Sequence, residues 1–417
     1  MPVFFQAYDP LKNQTTRLLQ LVPEALPNHR ADVTTLFGKY LPRNGVICDM
    51  VGRASREPLR EEGFASVRRP PLYSTRLKRE LSYLWLCLRT LLGASRRNCD
   101  VIQVRDMVVV GLIGLVVARL RGLPFVYWVS VLMSEGRVNR ARTELARKPS
   151  LRYRLVLLAG LTERWLLNRI IARRCDHLFV QSIWMKAHFE KLGIDPLKMS
   201  PVPMGVDTEL LGTPPQPQRP EGWESGPLVG YLGTLDQSRQ LEHVVDAMAL
   251  VRQRHPEARL LLVGDSPTRS DVDKLLAHAA SLGLADAVRV TGWLPSAQAW
   301  ALLAGTDVAV SYVPRGDLYD ISSPTKLLEY MALQLPSVAN DNPDQADVLT
   351  RSGAGWLTES NGHAMGVALQ AVLDDREEAA ARGRKGLPFI DSQRSYRRIA
   401  AELAEQYRAV VNMAGKT

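Results

Sequence analysis

The chain has 417 residues, of which 46% are hydrophobic, 23% charged and 7% aromatic, and a formal net charge of +10. So apolar a chain can bury enough surface to offset its ordering entropy, which excludes disorder as its main state, and its length favours two domains because single cores stop growing near ~250–300 residues. Cys48, Cys87, Cys99 and Cys175 are scattered, with no CxxC pair and no histidine at zinc spacing, which argues against a disulfide scaffold or structural zinc and suits a reducing compartment.

The opening MPVFFQAYDPLK has no basic stretch before an apolar core, so it reads poorly as a secretory signal. Strand patterns are expected at Val3–Ala7, Ala31–Phe37, Val46–Cys48, Val101–Val104, Phe125–Val129 and His177–Val180. Helical periodicity is expected at Thr16–Leu26, Arg76–Leu92, Val108–Arg119 and Leu151–Ile171. The longest apolar run, Met107 to Ala118, falls short of the roughly 20 residues of a spanning helix. The expectation is therefore a cytoplasmic chain without a transmembrane span. Trp165, Trp184 and Trp300, at helical spacing, read as core packing.

Between Arg137 and Lys198 there are 14 Lys/Arg against five Asp/Glu, so nearly all of the net charge lies there. Basic residues interleaved with Leu and Trp, as in Leu151–Arg174, suit either a helix face resting on an anionic membrane surface or a solvated face. No zinc-finger, RNA-recognition or helix-turn-helix signature accompanies the charge, so nucleic acid is not an expected partner.

A linker is expected at 207–226, where Thr213–Pro220 has four prolines in eight residues. Beyond it, strands are expected at Leu228–Leu232, Arg259–Val263, Val288–Thr291, Val308–Tyr312 and Pro336–Ala339. Helices are expected at Leu241–Arg254, Val272–Leu282, Ser296–Ala304, Pro324–Ala332, Gly362–Leu373 and Ser392–Val411. The alternation argues for α/β architecture with two doubly wound, Rossmann-like domains, 1–206 and 227–390, and a terminal helical segment, 391–417.

The most informative stretch is Ile321-Ser-Ser-Pro-Thr-Lys-Leu-Leu-Glu329. Ser323 reads as an N-cap and Pro324 as the first helical residue, leaving the N–H groups of Thr325 and Lys326 at a positive helix end. With the Lys326 charge this is an anion site, phosphate being the usual anion. Glu329, one turn on, can accept hydrogen bonds from sugar hydroxyls. The plainer alternative is a surface ion pair between Lys326 and Glu329. Upstream, three strands end at glycine turns: Gly233-Thr234, Gly264-Asp265 and Gly292-Trp293-Leu294. Glycine there lets a ligand approach the backbone.

This ordered series, with Val202-Pro-Met-Gly-Val-Asp207 before the linker, resembles the retaining glycosyltransferases of family four (glycosyl transferases group 1), densely over residues 177–340 and in outline before that. The resemblance implies the GT-B fold, with two domains facing a central cleft, a terminal helix crossing back and acceptor binding by the first domain. It implies a nucleotide-diphosphate sugar as donor substrate and no cofactor. It assigns Arg239 to the donor diphosphate, Thr325 and Lys326 to the phosphates, and Glu329 to the ribose hydroxyls. Gly264-Asp265 and Gly292-Trp293-Leu294 fall at the nucleobase, and Asn13 and Gln14 near the transferred sugar. The first glutamate of the family's pair falls on Ile321, so its contact to the donor sugar is either missing or supplied by Asp317 or Asp320, and the diphosphate arginine falls on Thr234. No carboxylate pair suited to a metal is evident.

The expected activity is sugar transfer with retention to an acceptor hydroxyl. The expected acceptor is a glycan or a lipid-linked glycan of bacterial surface polysaccharide synthesis, with an anionic membrane surface as a partner and the enzyme expected in the cytoplasm or on the inner face of the membrane. The rivals are a nucleotide-sugar epimerase of similar fold and a catalytically decayed basic membrane-surface binding protein.

Overall fold

The computed structural model describes residues 15–28, 30–59 and 61–414. They form two compact units: the chain up to Val202 together with residues from Ile399 onward, and Pro203–Arg398. The expected strand Val3–Ala7 lies outside the described residues.

In the first unit the strands are β1 (Thr16–Leu26), β2 (Val46–Ala54), β3 (Ser66–Arg68), β4 (Val101–Arg105), β5 (Phe125–Val129), β6 (His177–Val180) and β7 (Met199–Pro201). They form a parallel sheet in the order β3-β2-β1-β4-β5-β6-β7. Thr16–Leu26, expected as a helix, is an interior strand, paired with β2 on one side and β4 on the other. Leu18, Leu21 and Val22 stand at helical spacing, yet a strand covered on both faces buries all three, which periodicity alone cannot tell from a helix. Pro23 was the overlooked signal, since a proline mid-helix removes a hydrogen bond, whereas here the β1–β2 register shifts between Leu21 and Ala25. Ala31–Phe37, expected as a strand, instead runs into a helical turn continuing through Leu36–Tyr40.

Four helices matter below: α1 (Arg76–Leu92), α2 (Val108–Arg121), α3 (Met133–Arg147) and α4 (Leu151–Leu166). The first falls on its expected span; the third was not anticipated.

In the second unit, β8 (Leu228–Leu232), β9 (Arg259–Val263), β10 (Val288–Val290), β11 (Val308–Ser311), β12 (Ser337–Asn340) and β13 (Trp356–Thr358) form a parallel sheet in the order β10-β9-β8-β11-β12-β13. Its core packs Val229, Tyr231, Leu260, Leu262 and Val310 against Val244, Val245 and Met248 of the helix Glu242–Arg254. The order reverses between β8 and β11, the switch point at which an open parallel sheet offers a crevice outside the carboxyl ends of its strands. The proline-rich stretch read as a linker packs on this unit. Gln218 N donates to Ala301 O, and Arg219 bonds Asp307 and the carbonyl of Gly226.

Candidate functional site

The carboxyl ends of β8 and β9 are held together by two glycines with positive φ, Gly233 (147°) and Gly264 (142°). A Cβ on Gly264 would lie 2.0 Å from the Gly233 carbonyl oxygen, and one on Gly233 would lie 2.5 Å from Lys326 Cε. Only glycine allows both the backbone conformation and the approach. Gly233 N donates to Val263 O, and Leu235 N to Asp265 O, so Thr234 sits in a turn braced by β9. Thr291 Oγ accepts from Gly264 N and donates to Gly292 O, which brings the Asp265 and Gly292 turns together. The Asp265 carboxylate caps its own turn through Ser266 N at 2.7 Å. Leu294 is half-buried and Trp293 stands exposed.

From the far side of the crevice comes the loop after β11, leading into α5 (Lys326–Ala332). Asn340 pins its start, accepting from Val313 N and donating to Val313 O. Asn342 donates to Tyr319 O, and the Tyr319 hydroxyl donates to Ser238 O at 3.2 Å, tying this loop to the turn that carries Arg239. Asp320 is occupied by Arg315 at 2.8 Å, whereas Asp317 is exposed. Ile321 is buried.

Ser323 is not the N-cap expected from sequence. The helix starts two residues later, Thr325 holds the cap position without a side-chain bond, and Ser323 is drawn inward. Its Oγ donates to Asp344 at 2.8 Å and accepts from Met204 N and Arg394. The buried Asp344–Arg394 ion pair, at 2.6 Å, competes successfully for the hydroxyl. The role of Ser323 is to anchor the loop.

Lys326 lies half-buried with Nζ 5.2 Å from the centre of the Tyr231 ring. Burial, together with the nearby Arg239 charge, pushes its ammonium down to about 8, against the pull of Glu329 and Asp236. Burial likewise pushes the Glu329 carboxyl up to about 7, despite the Trp300 indole hydrogen bond and the Lys326 charge. Among the described residues Lys326 and Glu329 form no ion pair within 4.0 Å, so the plain surface-pair alternative does not hold. Arg239, one-third exposed, pairs weakly with Asp236 at 3.4 Å. The fold thus brings Arg239, Lys326, Glu329, Gly233 and Thr234 to one place, with Thr325 beside Lys326. Asn13 and Gln14 lie outside the described residues.

Sequence reasoning missed Tyr231, Trp300 and Tyr330. The Tyr330 hydroxyl accepts from Leu232 N at 2.9 Å, fixing α5 to the end of β8. Its place one residue after Glu329 was the available signal. Trp300, read as core, is half-buried, packs against the core of the second unit as expected, and also stabilises the Glu329 carboxylate. Among the described residues no group of three or more His, Cys, Asp or Glu side chains could hold a metal ion.

Parallel sheets with a cationic crevice at a switch point occur in many families, so the comparisons carry the assignment. Residues 32–210 match the model of Glycosyltransferase Family 4, and residues 226–375 that of Glycosyl transferases group 1. The 2-deoxystreptamine glucosyltransferase of Streptomyces kanamyceticus is 28% identical over 299 residues, covering 62% of this chain and 72% of that protein. The GDP-mannose-dependent alpha-(1-6)-phosphatidylinositol monomannoside mannosyltransferase of Mycobacterium tuberculosis is 27% identical over 214 residues, covering 50% of this chain and 55% of that one. The crystal structure of Anabaena Alr3699/HepE with UDP and glucose superposes with a TM-score of 0.68 at 15% identity, covering 94% of this chain and 100% of that one. The ordered glycine turns, the buried Lys326–Glu329 helix and both family models converge, and the chain belongs to the group 1, family 4 glycosyltransferases, with the two-domain GT-B fold.

Proposed function

We propose that this glycosyltransferase moves a sugar from a nucleotide-diphosphate donor to an acceptor hydroxyl with retention at the anomeric carbon. One observation carries the reading: burial against the Gly233 turn, and then the nearby Arg239 charge, lower the proton affinity of Lys326, so two cations are kept together among glycine turns. Like charges kept together at a structural cost suit a polyanionic ligand, and a diphosphate neutralises both.

In the reaction the bond from the anomeric carbon to the diphosphate oxygen breaks, the acceptor oxygen bonds to the same face of that carbon, and the acceptor proton passes to the departing phosphate. Negative charge grows on the diphosphate as it leaves, and preorganised cations stabilise that change more than they stabilise the bound donor. Glu329 accepts from the ribose hydroxyls. The two cations act in place of a metal ion, so turnover should survive a chelator. Loss with EDTA and recovery with magnesium would overturn this part.

The acceptor in this reading is a lipid-linked glycan of bacterial surface polysaccharide synthesis, met by the first unit at the cytoplasmic leaflet. The basic stretch 137–198 and a relative named for a phosphatidylinositol monomannoside support it. Among the described residues no helix is long and apolar enough to cross a membrane. The deciding test is a thermal-shift screen of nucleotide sugars, since a bound donor stabilises the folded state by mass action. Transfer from the donor so found is then assayed on short-chain lipid-linked and water-soluble acceptors. No stabilisation by any nucleotide sugar would refute the donor reading.

A further inference from the structure

The first unit carries apolar surface that its core does not use. Helices α3 and α4 form a hairpin closed by ion pairs from Arg137 to Glu163 and from Arg164 to Glu135. Gly160 is the sole buried residue of α4, set against Val138, where a Cβ would come within 2.9 Å of Cγ2. At 3.6 residues per turn, Leu151, Leu155, Leu158 and Trp165 fall on the face opposite Gly160. They are 73%, 60%, 62% and 57% exposed, so Trp165 is not the core residue its spacing suggested.

Helix α1 repeats the pattern. Tyr83, Cys87, Thr90 and Leu91 face inward, while Leu77, Leu81, Trp85 and Leu92 stand exposed in a second stripe. Helix α1 packs beside α2, and α2 beside α4, with Val116 and Leu120 of α2 exposed as well. Soluble monomers rarely leave so much neighbouring apolar surface in water.

Charge identifies the occupant. Exposed Lys78 and Arg89 border the α1 stripe, and exposed Arg152 and Arg154 accompany that of α4. At the first turn of α1 a cavity of about 230 Å³ is lined by Arg53, Arg76 and Arg79 against Glu80 alone, with Ala25 and Ala54 completing the wall. Arg53 and Glu80, paired at 2.5 Å, also border a cavity of about 340 Å³ whose rim includes Leu84, Val109 and Met133. Two copies of this chain meeting through these faces would oppose their own arginines, whereas an anionic bilayer satisfies both the apolar stripes and the guanidinium groups.

We propose that the outward faces of α1 and α4 seat the first unit in an anionic lipid bilayer, with their leucines, Trp85 and Trp165 among the acyl chains and Arg53, Arg76 and Arg79 on a lipid phosphate. This deepens the lipid-linked-acceptor reading and takes its functional meaning from it: the larger cavity then opens at the lipid interface, where such an acceptor is delivered.

The test sediments the full chain with phosphatidylcholine vesicles, with and without phosphatidylglycerol, and repeats the anionic case with lipids brominated along the acyl chain. Binding should be stronger with the anionic lipid and survive high salt in good part, because apolar insertion is not screened. Brominated chains should quench tryptophan emission, and Trp85→Phe with Trp165→Phe should remove that quenching. Leu155→Ser and Leu158→Ser should each lower partitioning roughly tenfold, with circular dichroism unchanged because both positions are exposed. Arg76→Ala with Arg79→Ala should erase the preference for anionic over neutral vesicles. Absent quenching, or full release by salt with the leucine variants unaffected, would overturn the proposal and leave a solvated basic face. Conversion of a dimer to a monomer by the leucine variants without vesicles would also overturn it. Vesicle binding combined with transfer only to water-soluble acceptors would refute the lipid-linked acceptor and leave the docking intact.

Discussion

Donor affinity should have a narrow pH optimum with two assignable limbs. In the free protein Lys326 titrates near 8 and Glu329 near 7. A diphosphate binds the charged lysine, so the bound form holds its proton more tightly. Affinity is then full below about 8 and falls roughly tenfold per pH unit above it. The carboxylate accepts ribose hydroxyls through its oxygens, so binding lowers its pKa, and affinity falls as pH drops below about 7. The fall of Lys326 from 10.5 to about 8 means that holding the charge costs on the order of 3 kcal/mol in the free protein, which the diphosphate recovers on binding. Lys326→Met should therefore lose ~2–4 kcal/mol of donor and transition-state binding and flatten the basic limb. Glu329→Gln should flatten the acid limb alone. Titration calorimetry with the screened donor between pH 6 and 9, in buffers of differing ionisation heat, reads both affinity and proton uptake. A profile flat across that range, or unchanged limbs in the two variants, would refute the placement of the diphosphate at Lys326.

The same shifts predict stability effects of opposite sign to the loss of function. Burial raises the Glu329 carboxyl above its ordinary 4.5, so its contribution falls as pH rises from there to about 7, and Glu329→Gln should stabilise the free protein at pH 8 by about 1–3 kcal/mol in thermal or urea melts. Gly264→Ala, with its Cβ forced on the Gly233 carbonyl, should cost about 2–4 kcal/mol by urea titration and weaken donor binding as the turn shifts. Ser323→Ala breaks a buried link to Asp344 and Arg394 and should cost about 1–3 kcal/mol in the same assay, with a smaller loss of donor affinity than Lys326→Met.

The second unit was more legible in the sequence than the first, for reasons visible in particular residues. Leu228–Leu232 and Arg259–Val263 end at glycines, so chain punctuation marked both the strands and the turns that build the site. Thr16–Leu26 does not end at a glycine and is buried on two sides, so its helical spacing misleads and Pro23 is the one signal against a helix. The charged site residues could be read because Lys, Arg and Glu beside a glycine turn are uncommon enough to be informative. Tyr231 and Trp300 could not, because an aromatic side chain packs a core and lines a charged pocket with the same sequence pattern. The inward rotation of Ser323 depends on Arg394, seventy-one positions away, and no local rule registers that distance.

The terminal helix α6 (Tyr396–Ala414) leaves the second unit and is part of the first from Ile399 onward. Leu403, Ala404, Tyr407 and Val410 are buried there, and the Tyr407 hydroxyl donates to Gln103 of β4 at 2.6 Å. The sheet of the first unit is therefore finished by residues that leave the ribosome after those of the second unit. During synthesis the second unit has all of its strands while the first still exposes the groove that α6 fills, so the order of completion is the reverse of the order of translation. A nascent chain stalled before residue 399 should contain a protease-resistant second unit and a first unit still open to cleavage, and a ribosome-release assay would follow the closing of that groove directly.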